Sequence, residues 1–146
     1  MNKKCLVTGG AGFIGTNLIK RLLKDKHTVF SFDNYIIGSK ENHQNGCEYI
    51  DIDIRQNIEN WFLKNIDVIF HLAALPRIGP SFDNPIETLE VNVNGTINVL
   101  EYASKNNIPV IYAGSSSFWG GTHKNPYTFT KWQGEELCKL YEQIYG

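Results

Sequence analysis

A chain of 146 residues is long enough for one domain with a sizeable core, since a chain of that size buries roughly 68–70% of its unfolded surface. Its 14 basic and 15 acidic side chains nearly cancel, and no run of like charges exceeds a pair, so neither a nucleic-acid footprint nor a membrane-surface patch is expected. Cys5, Cys47 and Cys138 are odd in number, widely spaced and without paired-ligand spacing; they read as reduced thiols of a cytoplasmic protein, with no disulfide and no metal site.

The start, Met1-Asn2-Lys3-Lys4 before apolar residues, imitates a signal peptide, but Thr8 and four glycines break its apolar core and no small-residue cleavage pattern follows. No apolar run approaches the ~20 residues of a spanning helix. The apolar run Cys5-Leu6-Val7 leads into Thr8 and then Gly9, Gly10, Gly12 and Gly15, with Ile14, Leu18 and Leu22 spaced four apart behind them. That order predicts strand, tight turn and helix. Glycines suit a turn whose backbone a ligand approaches closely. The helix beginning near Gly12 aims unpaired amides and its positive dipole end at the turn, where a pyrophosphate is the usual occupant.

Residues 28–32 are rich in β-formers and end at Asp33-Asn34, and residues 49–54 alternate apolar side chains with Asp51 and Asp53. Ile58, Trp61 and Phe62 give a short helical face, and residues 68–72 read as a buried strand before Ala73-Ala74. A helix is expected from Asn84 as cap and Pro85 in the first turn, with Ile86, Leu89, Val93, Ile97 and Leu100 as its apolar side, stopping near Asn106-Asn107. Residues 110–113 form another strand and 115–125 a polar loop. Residues 127–145 read as a helix with Leu137, Leu140, Tyr141 and Ile144 on its apolar side. Strands separated by helical crossovers imply an α/β fold over residues 1–146, a doubly wound parallel sheet in three α/β/α layers, with ligands at the carboxyl ends of the strands.

Asp33 stands about 20 residues past the glycine turn, where a carboxylate accepts hydrogen bonds from both ribose hydroxyls of a dinucleotide. Against the 2′-phosphate of NADP it would face like charge, a repulsion of roughly 4 kcal/mol at ~4 Å and an effective dielectric of ~20. No arginine neighbours it in sequence, so NAD is favoured.

TGGAGFIG at 8–15, FDN at 32–34, DIR at 53–55, HLAA at 71–74, NVNGT at 92–96, SSSFWG at 115–120 and YTFTK at 127–131 follow in order along the chain. Together they resemble the extended short-chain dehydrogenase/reductase family, more narrowly its NAD-dependent nucleotide-sugar epimerases and dehydratases of the UDP-glucose 4-epimerase type. The resemblance implies a Rossmann-type fold with Gly9, Gly12, Phe13, Ile14 and Gly15 around the pyrophosphate. Asp33 and Asn34 would hold the adenosine ribose, Asp53 and Ile54 the adenine, and Leu72, Ala73 and Ala74 would line the cofactor cleft. His71 is expected as a packed strand-end histidine, and Asn92 as the tie between the active-site helix and the sheet.

By the same resemblance Ser115, Tyr127 and Lys131 are catalytic, with Ser116 in place of Ser115 if the alignment slips by one, and Tyr127 and Lys131 also touch the cofactor. Spaced by four, Tyr127 and Lys131 share one helix face. A tyrosine hydroxyl titrates near ~10, so one that serves as a base at neutral pH needs ~3 units of lowering, roughly 4 kcal/mol, which a nearby ammonium in a partly dry site can supply. The implied reaction is 4-epimerisation of a nucleotide-sugar, most simply a UDP-sugar, with hydride passing from C4 to NAD and back. A homodimer through a four-helix bundle, built from the helices at 86–100 and 127–145, is implied as well.

Two departures stand out. Ser116 and Ser117 occupy the positions where the family's dehydratases carry an Asp-Glu pair, which favours epimerisation, and the loop from Ser115 to Tyr127 is short for the family. Relatives of this type continue for about as long again with a C-terminal substrate domain, whereas this sequence stops at Gly146. The alternatives are therefore a cofactor-binding portion completed elsewhere, a non-catalytic NAD-binding or interaction module, or another oxidoreductase or dehydratase of the extended family.

Overall fold

The computed structural model describes residues 2–57, 61 and 63–146. Five strands, β1 (Lys4–Thr8), β2 (Thr28–Asp33), β3 (Cys47–Asp51), β4 (Val68–His71) and β5 (Val110–Tyr112), form one parallel sheet in the order β3-β2-β1-β4-β5. β1 pairs with β2 on one side and β4 on the other, so the winding reverses at β1 and opens a crevice above the ends of β1 and β4. Thr8 lies opposite both Phe32 and His71 at that point.

Strand alternation sorts the apolar side chains into two cores. Cys5, Val7, Val29 and Val68 pack against Ile19 and Leu22 of α1 (Phe13–Lys24) on one face. Leu6, Phe32, Ile54 and Ile69 pack with Val91, Val99, Tyr102 and Ala103 on the other. Each such aliphatic or aromatic side chain, fully buried, contributes roughly 1.5–3 kcal/mol. Trp61 joins the second core, its ring centroid 5.3 Å from that of Phe32 and from that of Tyr102; Ile58 and Phe62, expected beside it, lie outside the described residues.

The second face is covered by α2 (Ile78–Asp83), α3 (Pro85–Leu89), a five-residue π-helical segment (Glu90–Asn94), α4 (Gly95–Asn106) and α5 (Pro126–Tyr145). α2 has no counterpart in the sequence expectation, where Gly79-Pro80 obscured it. Asn84 does precede Pro85, but its side chain makes no cap bond; its carbonyl accepts from the Thr88 amide and hydroxyl instead. α4 ends at Asn106, with Asn107 left-handed at φ 52°.

The apolar stripes named from the sequence lie largely on the outside. Ile86 is 71% exposed, Leu89 is exposed, Val93 and Ile97 are half-buried, and only Leu100 is buried. The inward side instead carries Thr88, Val91, Asn92, Thr96, Val99 and Ala103. On α5, Leu140 and Ile144 are exposed and Leu137 and Tyr141 half-buried, while Thr128, Thr130, Lys131 and Gly134 face inward. The polar members of the inward sides are matched by partners: Asn92 binds the Leu75 backbone at 2.8 and 3.2 Å and Thr130 at 3.0 Å, tying the π segment to the loop after β4 and to α5. Gly95 lets the helix approach Ile54 so closely that a Cβ there would lie 2.5 Å from Ile54 Cδ1.

Candidate active site

A cavity of about 380 Å³ opens above the ends of β1 and β4. Its floor is the glycine turn. Gly9 adopts φ +74° with no room for a side chain against Ala73, and a Cβ on Gly15 would sit 2.3 Å from the Gly9 carbonyl oxygen. Gly12 caps α1, and the first helical bond runs from the Thr16 amide to the Gly12 carbonyl, which leaves the amides of Phe13, Ile14 and Gly15 without intrahelical acceptors. The same three residues line the cavity.

Asp33, only 8% exposed, is oriented by two backbone donors: the Ala11 amide at 2.8 Å to Oδ2 and the Tyr35 amide at 2.8 Å to Oδ1. A carboxylate offers about four lone-pair sites, so acceptor capacity remains for two hydroxyls of a ligand. The Ala11 carbonyl in turn accepts from the Ser39 amide and from Asn42 Nδ2, docking the loop after β2 onto the glycine turn. Gly38 in that loop sits where a Cβ would lie 2.7 Å from the Ala11 carbonyl carbon.

Gly9, Gly12, Phe13, Ile14, Gly15, Asp33, Asn34, Ile54, Leu72, Ala73 and Ala74 all line this cavity. Asp53 does not: its carboxylate is taken by the Arg55 guanidinium at 2.6 Å and by Asn34 Nδ2 at 3.0 Å, and it reaches the cavity only through Asn34. Ile36, Ile37, Gly38 and Arg77 also line it and were not anticipated. The apolar pair Ile36-Ile37 directly after the Asp33 acid was the available signal; Arg77 had none, because α2 was unforeseen.

Tyr127, Lys131 and Ser115 lie outside the cavity lining. Tyr127 starts α5, its amide donating to Ser81 Oγ of α2 at 3.2 Å, and its hydroxyl has no hydrogen-bond partner among the described residues. Lys131 is 6% exposed, and burial pushes its ammonium down to about 8. Ser115 makes no hydrogen bond to Tyr127: its Oγ bonds Ser117 Oγ at 2.9 Å, and its amide donates to Glu135 Oε1 at 3.0 Å. Glu135 is eight residues beyond Tyr127, about 12 Å along the helix at ~1.5 Å per residue.

His71 is a satisfied strand-end histidine. Thr8 Oγ1 accepts from the Leu72 and Ala73 amides, so its proton goes to His71 Nδ1 at 2.7 Å; Nε2–H then donates to Thr96 Oγ1 at 3.0 Å, whose proton goes to the Asn92 carbonyl. Burial, then the nearby Lys131 charge, push it down to about 3, so it stays neutral.

A crevice at a reversal of strand order, lined by residues with orphaned helix amides and by a carboxylate, is built for a dinucleotide. The family described as "NAD dependent epimerase/dehydratase family" matches residues 5–146. The chain belongs to that family. Among its relatives, a Methanocaldococcus jannaschii protein named as a candidate UDP-glucose 4-epimerase is 34% identical over 157 residues, covering 97% of this chain and 52% of the relative. The UDP-N-acetyl-α-D-glucosaminuronate decarboxylase of Bacillus cytotoxicus is 38% identical over 124 residues, covering 82% of this chain and 39% of the relative. The Thermus thermophilus UDP-glucose 4-epimerase in complex with NAD superposes with a TM-score of 0.88 at 28% identity, over 98% of this chain and 52% of the other. The chain thus spans about half the length, or less, of the curated relatives it matches.

Proposed function

We propose that residues 1–146 are the NAD-binding part of a nucleotide-sugar 4-epimerase whose substrate is a UDP-sugar. The observation that carries this reading is the cavity itself, lined both by the three residues at the start of α1 whose amides are unpaired and by Asp33 with its spare acceptor capacity. The amides and the helix dipole suit a pyrophosphate. Asp33 suits a ribose with both hydroxyls free, and its charge disfavours a 2′-phosphate, so NAD is preferred to NADP. Leu72, Ala73 and Ala74 provide the apolar wall. Asp53 supports the ribose side at one remove, by holding Asn34.

NAD, when bound, supplies the hydride acceptor and donor for the sugar C4. The chain's own part is proton handling and exclusion of water. Tyr127 is half-buried, and its hydroxyl, without a hydrogen-bond partner among the described residues, is suited to take the proton of a sugar hydroxyl. Lys131, four residues on, retains a positive charge near neutral pH in a dry setting. The names of the relatives, epimerases and decarboxylases of UDP-sugars alike, support oxidation at a nucleotide-sugar as the shared chemistry. The outward stripes of α3 and α5 are the proposed dimer surface.

A second reading, an NAD-binding module without turnover, is favoured by one observation: the Ser115 hydroxyl is bonded to Ser117 and its amide to Glu135, with no hydrogen bond to Tyr127 among the described residues. Calorimetry with NAD and NADP tests the part both readings share. Tighter binding of NAD, weakened about tenfold or more by Asp33→Ala, is expected; a chain that binds neither dinucleotide would overturn both readings. Incubation of the NAD-bound protein with UDP-glucose, followed by sugar NMR, tests turnover, and unchanged sugar would count against catalysis by these residues alone.

A further inference from the structure

Lys131 is a buried cation without a carboxylate. Among the described residues it makes no ion pair within 4.0 Å, and the nearest acid on its own helix, Glu135, is turned to the Ser115 amide. Its Nζ lies instead 4.0 Å from the ring centroid of Tyr112, on β5. α5 is shaped to admit that ring: a Cβ at Gly134 would fall 2.1 Å from the Tyr112 hydroxyl oxygen, so only glycine leaves the space. On the other side, the His71 ring lies 5.6 Å from the Tyr112 ring, neutral and bonded at both nitrogens to Thr8 and Thr96. The titratable groups around Lys131 are therefore Glu135 and Cys138 of its own helix, the neutral His71 of β4, and the Tyr112 hydroxyl, which donates to the Lys131 carbonyl at 3.5 Å; α4 contributes the Thr96 hydroxyl to this cluster.

We infer that Tyr112 is a positioning residue: its ring face holds the Lys131 ammonium in the dry layer between β5 and α5, in place of a counter-ion. This rests on the reading of Lys131 as the cation that serves Tyr127. A carboxylate would bind the ammonium tightly and neutralise its field. A ring face stabilises the charge through its quadrupole and leaves the net charge of the pair at plus one.

The test is an NMR titration of Lys131 in the full chain without cofactor, its signal assigned by its loss in Lys131→Arg. The wild-type ammonium is expected to titrate at about 8. Tyr112→Phe keeps the ring and should leave that value unchanged. Placing 4-fluoro-, 3,5-difluoro- and 3,4,5-trifluorophenylalanine at position 112 weakens the ring quadrupole at nearly constant shape, and should lower the value stepwise by about one unit in all. Tyr112→Leu should lower it at least as far. A flat fluorination series, or a drop already complete in Tyr112→Phe, would overturn the inference. Because no cofactor is present, a flat series leaves NAD binding untouched, and failure to bind NAD leaves the series readable.

Discussion

Asp53 is held as a carboxylate by the Arg55 guanidinium above all, with Asn34 assisting, and its pKa is drawn down to about 2. Its stabilising contribution is therefore complete above the unfolded value of ~3.9 and is lost as pH falls from there through about 2. Asp53→Asn should cost on the order of 1–2 kcal/mol at neutral pH, after allowance for partial exposure, and should flatten the acid limb of stability below pH ~4. Urea denaturation at pH 7 and at pH 2.5 measures both; equal losses at the two pH values would refute the linkage. Ser31 is the opposite case. Its hydroxyl is fully buried beneath Gly10 with no hydrogen-bond partner, so Ser31→Ala should leave the melting temperature unchanged or raise it. A fall of several degrees would reveal a partner for the hydroxyl.

Within the glycine turn, two positions that look alike in sequence do different work. A Cβ at Gly15 collides with the backbone of Gly9 and Gly10, which cannot move aside, whereas a Cβ at Gly12 meets only the Gly9 carbonyl at 3.3 Å and its φ of −80° suits any residue. Gly15→Ala is expected to destabilise the fold by about 1–3 kcal/mol or more. Gly12→Ala should fold with near wild-type stability yet bind NAD poorly, because its Cβ stands where the pyrophosphate approaches. Thermal melts paired with calorimetry check the pair; a Gly12→Ala protein with full NAD affinity would place the ligand elsewhere. The helix that follows β4 carries a comparable lesson. Across its π segment and α4, Asn92 and Thr96 join Val91, Val99 and Ala103 on the side that meets the sheet, so a polar network and apolar packing share that face.

For the molecule as a whole, α3 and α5 each carry apolar side chains on the outside, Ile86 and Leu89 on α3 and Leu140 and Ile144 on α5. Exposed apolar side chains on helices offer a surface for association. The protein is expected to be dimeric by light scattering at micromolar concentration, with Ile86→Lys shifting it to monomer at unchanged helix content by circular dichroism; a monomer at every concentration would remove the dimer proposal. The β5 side of the sheet is bare in a second way: β5 is an edge strand, and Ile111 is 53% exposed there. Such an edge offers backbone groups for pairing.

The amino-acid sequence by itself determined the strand, glycine turn and helix, the acid at the end of β2, and the parallel alternation of strands and helices. Each of these rests on local chemistry: backbone freedom at glycine, β-propensity, and the distance along the chain between a turn and the next strand end. It also carried the family motifs in their order. Tertiary structure alone decided where Asp53, Ser115 and Lys131 point, and which sides of α3, α4 and α5 are buried. Those outcomes depend on partners distant in the chain: Arg55 and Asn34 competing for one carboxylate, Glu135 drawing the Ser115 backbone, and Tyr112 receiving an ammonium through the gap at Gly134. Periodicity counts apolar residues along one helix, but the side that turns inward must both fill the core and satisfy its polar groups, and that is settled only when the other elements have packed against it.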